Sequence, residues 1–487
     1  MPVQAAFSSA GQPAASGPTQ RVMNRWLVVV GALLIQVSLG AVYIWSVFQT
    51  PLKARFTGWT ETQVTLPAQL VLACFALAVI LGGRFQDRAG PRLVATLGGL
   101  VLGVGLILAR FTGSFSSTAA LLWLLLTFSV LGGAGIGMAY VCPIAACVKW
   151  FPDKRGLITG LAVAGFGAGA FFFAPLAKAL ILGGHYELLG AKLFKLRALG
   201  VFNTFLTLGI IFLIAILIGA QLLRNPPAGY RPAGWKPPPT APGAAGRLDF
   251  SPAQMLRTPQ FWLLWITYFA GCTAGLQVIM KASPVWQSFA IAPLAPPVDA
   301  QTFSAISAAG AMAVSILAIF NSLGRIFWGK VSDSLGRKTT LVIMFLLCGV
   351  AMLLLNSFRV YPLYLVGICA VGLCFGGYLA LYPAVTADFY GTRHLGVNYG
   401  WMFTAYGAGG LLGPFLAAWL MRVSAEVPYL TAGAGDGATK MFTVGDYRLA
   451  FVVAGIMCLA AVLLTLLVKP PKAAPATGAG AGPAAGA

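Results

Sequence analysis

Charge is what this sequence has least of. Only 9% of its 487 residues are Asp, Glu, Lys or Arg, against 59% hydrophobic, whereas a soluble globular chain carries about 25% charged residues. A water-facing surface is thereby excluded for most of the molecule. Acidic residues are scarcest, at 11, and each falls in a predicted loop or at a predicted helix end, so no carboxylate is expected at the middle of a membrane span. The two histidines, His185 and His394, are predicted in loops, which removes them as buried proton carriers. There is no HExxH and no G-x-S-x-G, so the nucleophile–base pairs and metal sets of an integral-membrane enzyme are missing. The eight cysteines fall within predicted helices without metal-site spacing and read as small apolar packing residues. No metal and no cofactor is expected.

What is present is long apolar stretches. Crossing ~30 Å of hydrocarbon takes ~20 residues, and twelve runs qualify, near 25–49, 63–83, 92–111, 118–148, 156–183, 200–222, 260–289, 302–329, 339–357, 361–389, 395–421 and 448–468. They are continuous rather than alternating, which excludes a membrane barrel. The expected class is an all-α polytopic membrane protein. The formal charge of +21 would suit nucleic-acid binding if clustered, but Lys and Arg are scattered over short loops. Their bias toward one side has the sign expected of cytoplasmic termini. Residues 1–24 read as a disordered tail with no signal-peptide core, 25–223 as a first six-helix bundle and 224–259 as a Pro/Gly-rich cytoplasmic linker with a short surface helix around 251–257. Residues 260–469 read as the second bundle and 470–487 as a second disordered tail. Tails and linker are too short and too low in complexity for the signalling domain that a membrane sensor would append.

The halves repeat. "GGRFQDRAGPR" (82–92) follows the second predicted helix and "WGKVSDSLGRK" (328–338) the eighth, so that Gly83, Asp87 and Gly90 map onto Gly329, Asp333 and Gly336 at one constant offset. A second offset maps Gly137, Pro143, Gly156, Gly160, Gly167 and Gly169 onto Gly377, Pro383, Gly396, Gly400, Gly407 and Gly409. The G-x-x-x-D-R-x-G-x-R loop at Gly83–Arg92, its weaker copy at Gly329–Lys338 and the 6+6 helices resemble the major facilitator superfamily. The resemblance implies two pseudo-symmetric six-helix bundles rocking about a central cavity. It also implies a conformational latch made by the two loops, here Gly83, Asp87, Arg88, Gly90, Arg92, Asp333, Gly336 and Arg337. Within the superfamily, "GAVYIWSVFQTPL" (40–52), "DFSPAQMLRTPQFWLLW" (249–265) and "NSLGRIFWG" (321–329) are similar to the oxalate/formate antiporters and bacterial monocarboxylate transporters.

Arg325 is the residue that demands a function. It lies eight residues before Asp333, ~12 Å along a helix, which brings it close to the midplane of a bilayer whose half-thickness is ~15 Å. An arginine there costs ~2.5–3.5 kcal/mol on insertion scales and needs a wet cavity or a partner. With no acid to pair it, the counter-ion is expected from outside, and a small carboxylate matches the guanidinium fork. Asn321, one turn earlier on the same face, orients the guanidinium or the substrate but cannot titrate. In the mammalian monocarboxylate relatives the similar position carries an acid.

Tyr140, Tyr378, Tyr382, Phe403 and Tyr406 are aromatics in glycine-rich helices, and the resemblance implies that they line the substrate chamber. The antiporters carry a lysine at the position of Tyr406; one cation in place of two favours a monoanion over a dianion. Tyr43 and Gln36 on the first helix and Gln277 on the seventh complete the expected site. Lys281 reads as a second basic group or an interfacial anchor. The expectation is therefore a monomeric secondary transporter in a bacterial inner membrane, moving a lactate-like monocarboxylate with protons. Anion exchange of the oxalate/formate kind is the rival.

Overall fold

The computed structural model describes residues 23–188, 191–227, 229–232, 249–430 and 439–471. Twelve long helices organise them. The first, α1 (Arg25–Leu39), runs on through a 3-10 segment (Gly40–Ile44) into helical Trp45–Arg55, and α2 (Glu61–Ala89), α3 (Pro91–Ala109), α4 (Ser117–Trp150), α5 (Arg155–Leu182) and α6 (Gly200–Leu222) complete the first half. The second half holds α7 (Pro259–Ile291), α8 (Ala300–Leu335), α9 (Arg337–Leu355), α10 (Tyr361–Tyr390), α11 (Leu395–Leu420) and α12 (Arg448–Leu467). By length and composition, 11 helices among the described residues suffice to cross a membrane. The expected tails lie largely outside the described residues, as does 233–248 of the linker. The linker's end does form its short helix, Pro252–Leu256, started by a capping box between Ser251 and Gln254. It is tied down by Phe250 N–H donating to the Tyr390 carbonyl and Asn398 Nδ2 donating to the Phe250 carbonyl, both at 3.0 Å.

Local chemistry explains the joints. Gly90 alone links α2 to α3, and Gly336 alone links α8 to α9, at φ of 85° and 84°. A one-residue reversal needs that left-handed conformation, which glycine adopts without a Cβ penalty. Within α4 a π-helical stretch, Leu125–Leu131, interrupts the regular winding. Near it lies an apolar void of about 30 Å³, lined by Trp45, Phe48, Phe128 and Phe205 among others, inside the first half.

Two hairpins depart from the all-helical expectation. One pairs β1 (Gly184–Leu188) with β2 (Ala191–Leu196) after α5, and the other pairs β3 (Arg422–Leu430) with β4 (Thr439–Asp446) after α11. Both stand at the ends opposite the Asp87 and Asp333 loops. Such short segments, as in "AKLFKL", are masked in sequence by the long apolar runs on either side. The larger hairpin is pinned to the α7–α8 connection by Val298 N–H donating to the Pro428 carbonyl at 3.0 Å and by the Phe303–Tyr429 ring stack at 3.7 Å.

Two seams join the halves. Along α5 and α8, Gly156 faces Gly329, Gly160 faces the Arg325 backbone and Gly167 faces Ser322. Along α2 and α11, Gly83 faces Gly396, Gly400 faces Ile80 and Gly407 faces Ala76. The seams are copies of one another: the repeat that maps Gly156, Gly160 and Gly167 onto Gly396, Gly400 and Gly407 also maps Gly329 back onto Gly83.

Candidate functional site

The two repeated loops each carry a carboxylate across to the opposite half. Asp87, at the end of α2, accepts from the backbone N–H groups of Gly396 at 3.0 Å and Val397 at 2.9 Å. Asp333, at the end of α8, accepts from Gly156 at 2.9 Å and Leu157 at 2.8 Å. Each carboxylate thus sits on the open N-terminus of a helix in the opposite half, where unpaired amides and the helix dipole favour an anion.

The arginines divide differently from expectation. Arg337 holds Asp333 at 2.7 Å and Asp388 at 2.9 Å, and Arg155 holds Asp388 at 2.7 Å, so one seam carries a charged network that spans both halves. Arg88 is exposed instead, and Arg92 donates to Gln221 Oε1 of α6, within its own half. Pro91 stands where the repeat places Arg337, which leaves the first copy of the loop without that fork. Replacing Asp333 by Asn is therefore expected to weaken closure on this side more than Asp87→Asn does, since it also removes one of the two carboxylates that hold Arg337. A helix-terminus charge is worth about 0.3–1 kcal/mol, up to ~2 when partly buried. Hydrogen exchange at 155–160 and 395–400 measures the effect; equal protection in both variants and wild type would remove the latch role.

Further along the same helices lies the charged centre. Arg325 is fully buried. Its Nη1 donates to the Val163 carbonyl of α5 at 2.7 Å, its Nε to Asn321 Oδ1 at 3.4 Å, and its Nη2 has no hydrogen-bond partner. Its Cζ lies 5.9 Å from the Phe166 ring centroid, within cation–π range. No salt bridge to it is found among the described residues.

Aromatic rings surround it. Tyr43 Oη and Tyr406 Oη are 2.5 Å apart, linking the 3-10 segment after α1 to α11 across the two halves. Phe403 stacks on Tyr406 at 4.7 Å and meets Tyr140 at 5.0 Å, and Tyr140 meets Phe166 at 5.3 Å. Gln36 Nε2 donates to the Tyr140 carbonyl at 3.1 Å while its Oε1 is unpaired. Of the expected residues, then, Arg325, Asn321, Tyr43, Tyr140, Phe403, Tyr406 and Gln36 come together. Tyr382 is one ring removed, stacked on Tyr268 at 4.0 Å with its hydroxyl bonded to Thr267 at 2.7 Å. Tyr378 turns elsewhere, stacking on Phe345 of α9 at 4.7 Å inside the second half. Gln277 is buried on α7 beside Gly413 of α11, and Lys281 is half-buried further along α7. His185 lies in β1 rather than in the expected loop, and His394 stands at the N-terminus of α11.

Sequence reasoning missed Phe75 and Phe166. Phe75 touches Tyr140 and Phe403, both at 5.1 Å, and Phe166 meets Tyr43 at 5.4 Å. The repeat held the signal, because its two offsets map Phe166 onto Tyr406 and Phe75 onto Asn321. Where the second half presents Asn321 and Arg325, the first presents Phe75 and Val79.

Comparison with known proteins agrees with this architecture. The sequence model described as "Major Facilitator Superfamily" matches residues 25–288 and 285–485. The oxalate:formate antiporter of Oxalobacter formigenes is 30% identical, covering 81% of this chain and 84% of that protein. The MFS-type transporter YhjX of Escherichia coli is 29% identical, covering 81% and 88%, and rat monocarboxylate transporter 12 is 25% identical, covering 90% and 84%. The structure of the proton:xylose symporter XylE shares the fold at a TM-score of 0.63 and 12% identity, covering 91% of this chain and 96% of that one. The paired halves, the two loops between α2–α3 and α8–α9 and these matches lead to one conclusion: this multi-pass membrane chain is a transporter of the major facilitator superfamily.

Proposed function

We propose that the chain moves a small monocarboxylate, of the size of lactate, across a bacterial inner membrane by alternating access. One observation carries the reading: a fully buried arginine with an unpaired Nη2 and no acid beside it among the described residues. A carboxylate would satisfy that nitrogen and neutralise the charge in a low-dielectric setting. The count of cations sets the valence. Tyr406, its hydroxyl shared with Tyr43, brings no second positive charge, and the second carboxylate of a dianion would go unpaired at considerable cost. Similar proteins named for oxalate and formate, and for monocarboxylates, agree in handling carboxylates. The Lys/Arg bias supports an orientation with the latch and both termini in the cytoplasm.

Proton symport is the mode we assign. Exchange is favoured by one feature, the absence of a titratable acid beside Arg325 among the described residues: without a bound anion the arginine must cross the occluded state uncompensated. Proteoliposomes test the two together. Uptake of labelled lactate driven by an inward proton gradient, with no anion inside, is the expected result. Uptake that requires an internal carboxylate would replace symport by exchange, and no carboxylate movement under either condition would overturn the monocarboxylate reading.

A further inference from the structure

On the side of the Asp87 and Asp333 loops, the ends of four helices of the second half leave a cleft of about 230 Å³. Leu264 of α7, Leu341 of α9, Val385 and Phe389 of α10 and Val468 after α12 give it apolar walls. Arg337 and Lys338 stand at it as well, and no acidic side chain lines it. Arg337 is already balanced by Asp333 and Asp388. Lys338 is not. Its Nζ donates to the Leu466 carbonyl at 2.5 Å, one of the acceptors that the end of α12 leaves open, and no acid pairs with it among the described residues. The ammonium is thereby fixed at the cleft with two of its three donors unused. Lys469 is exposed between Val468 and Pro470, which both line the cleft. α9 begins here without a side-chain cap, and its open amides add to the positive potential.

The depth of the cleft suits a lipid. Trp262, half exposed and two residues before Leu264, gives its indole N–H to the Leu256 carbonyl at 3.0 Å, the posture of an aromatic at the boundary between headgroups and hydrocarbon. We propose that this cleft binds an anionic phospholipid of the adjacent leaflet, its phosphate held by Lys338 and Lys469 and the start of an acyl chain lying against Leu341, Phe389 and Val468. Apolar walls favour a chain over a free phosphate. Basic side chains with no acid among them favour a headgroup of net negative charge over a zwitterionic one. None of the lining residues belongs to the charged centre around Arg325, so the inference is independent of the substrate.

Purified full-length protein in detergent, titrated with short-chain phosphatidylglycerol and with phosphatidylcholine of the same chains, tests this. Binding is read by native mass spectrometry and by the rise in melting temperature. Wild type is expected to bind phosphatidylglycerol at least about tenfold more tightly, the discrimination that a pair of lysines near a membrane surface supplies. Lys338→Gln combined with Lys469→Gln is expected to bring the two lipids close to parity. Arg422→Gln, which removes an exposed cation in the hairpin at the opposite end, is expected to keep the preference. Melting curves without lipid establish folding; if the double variant unfolds, Lys469→Gln alone carries the test, with an expected loss of about fivefold. Glycerol phosphate, the headgroup chemistry without chains, is expected not to compete. Equal affinity of wild type for both lipids overturns the site, as does a preference retained without the lysines or lost equally in Arg422→Gln. Competition by glycerol phosphate at matched concentration would replace the lipid by a free phosphate and overturn it too.

Discussion

Arg325→Lys is expected to lose anion binding by on the order of a hundredfold or more, while the protein still folds. Lysine keeps one positive charge but replaces a planar fork by a compact ammonium. In wild type the fork does two things at once: Nη1 donates to the Val163 carbonyl, and Nη2 is left for a ligand. An ammonium on a shorter reach cannot hold the carbonyl across the seam and present a second donor in the same plane. Disrupting a buried, hydrogen-bonded charge pair costs about 2–5 kcal/mol, and ~2.7 kcal/mol is already a hundredfold. Binding isotherms for a monocarboxylate, paired with a melting curve to establish folding, make the comparison. Wild-type affinity in the folded variant would remove Arg325 from the site.

Gly83→Val is expected to abolish closure on the latch side and to slow transport at least tenfold, on the order of the ~1.4 kcal/mol that a tenfold change represents. The reason is steric and involves backbone rather than side chains. A Cβ at Gly83 would stand 2.7 Å from the Val397 nitrogen and closer still to the Gly396 carbonyl, and real Cβ atoms do not approach backbone so nearly. No rotamer relieves this; α2 and α11 must move apart. Separation also breaks both bonds from the Gly396 and Val397 amides to Asp87, so the steric and electrostatic losses act together. Gly58→Val, where an added Cβ meets nothing within 4 Å, is the matched control. Hydrogen exchange across 395–400 in the variant should rise toward that of an open helix end. Protection equal to wild type would show that the seam tolerates the side chain.

Much of this was legible from sequence because the forces involved are strong and periodic. The need for about twenty apolar residues per span located the helices to within six residues at each end, and the duplicated loops singled out the two carboxylates, Asp87 and Asp333, that reach the opposite half. Arg325 stood out because a charge in hydrocarbon is costly wherever it sits. Side-chain direction was less legible. Tyr378 and Tyr382 share a face by spacing, yet Tyr378 packs on Phe345 and Tyr382 on Tyr268, since long aromatic side chains reach different neighbours from one helix stripe. Arg88 and Arg92 were both expected in the latch with Asp87, but Arg88 is exposed and Arg92 reaches Gln221 of the neighbouring α6. The two hairpins carried too little pattern in too few residues to compete with the apolar runs flanking them.

The glycine seams bear on how quickly the halves can part. Interlocked side chains must leave their rotamers and lose many small dispersion contacts before two helices slide. At Gly83–Gly396 and Gly156–Gly329 the surfaces meet backbone to backbone, so little has to be unlocked there. The barrier to opening is then concentrated in a few discrete bonds, those of Asp87, Asp333, the Arg155–Asp388–Arg337 network and, deeper, Arg325 with the Val163 carbonyl and Tyr43 with Tyr406. Smooth faces held by a small number of polar catches give a two-position mechanism in which motion between positions meets little friction.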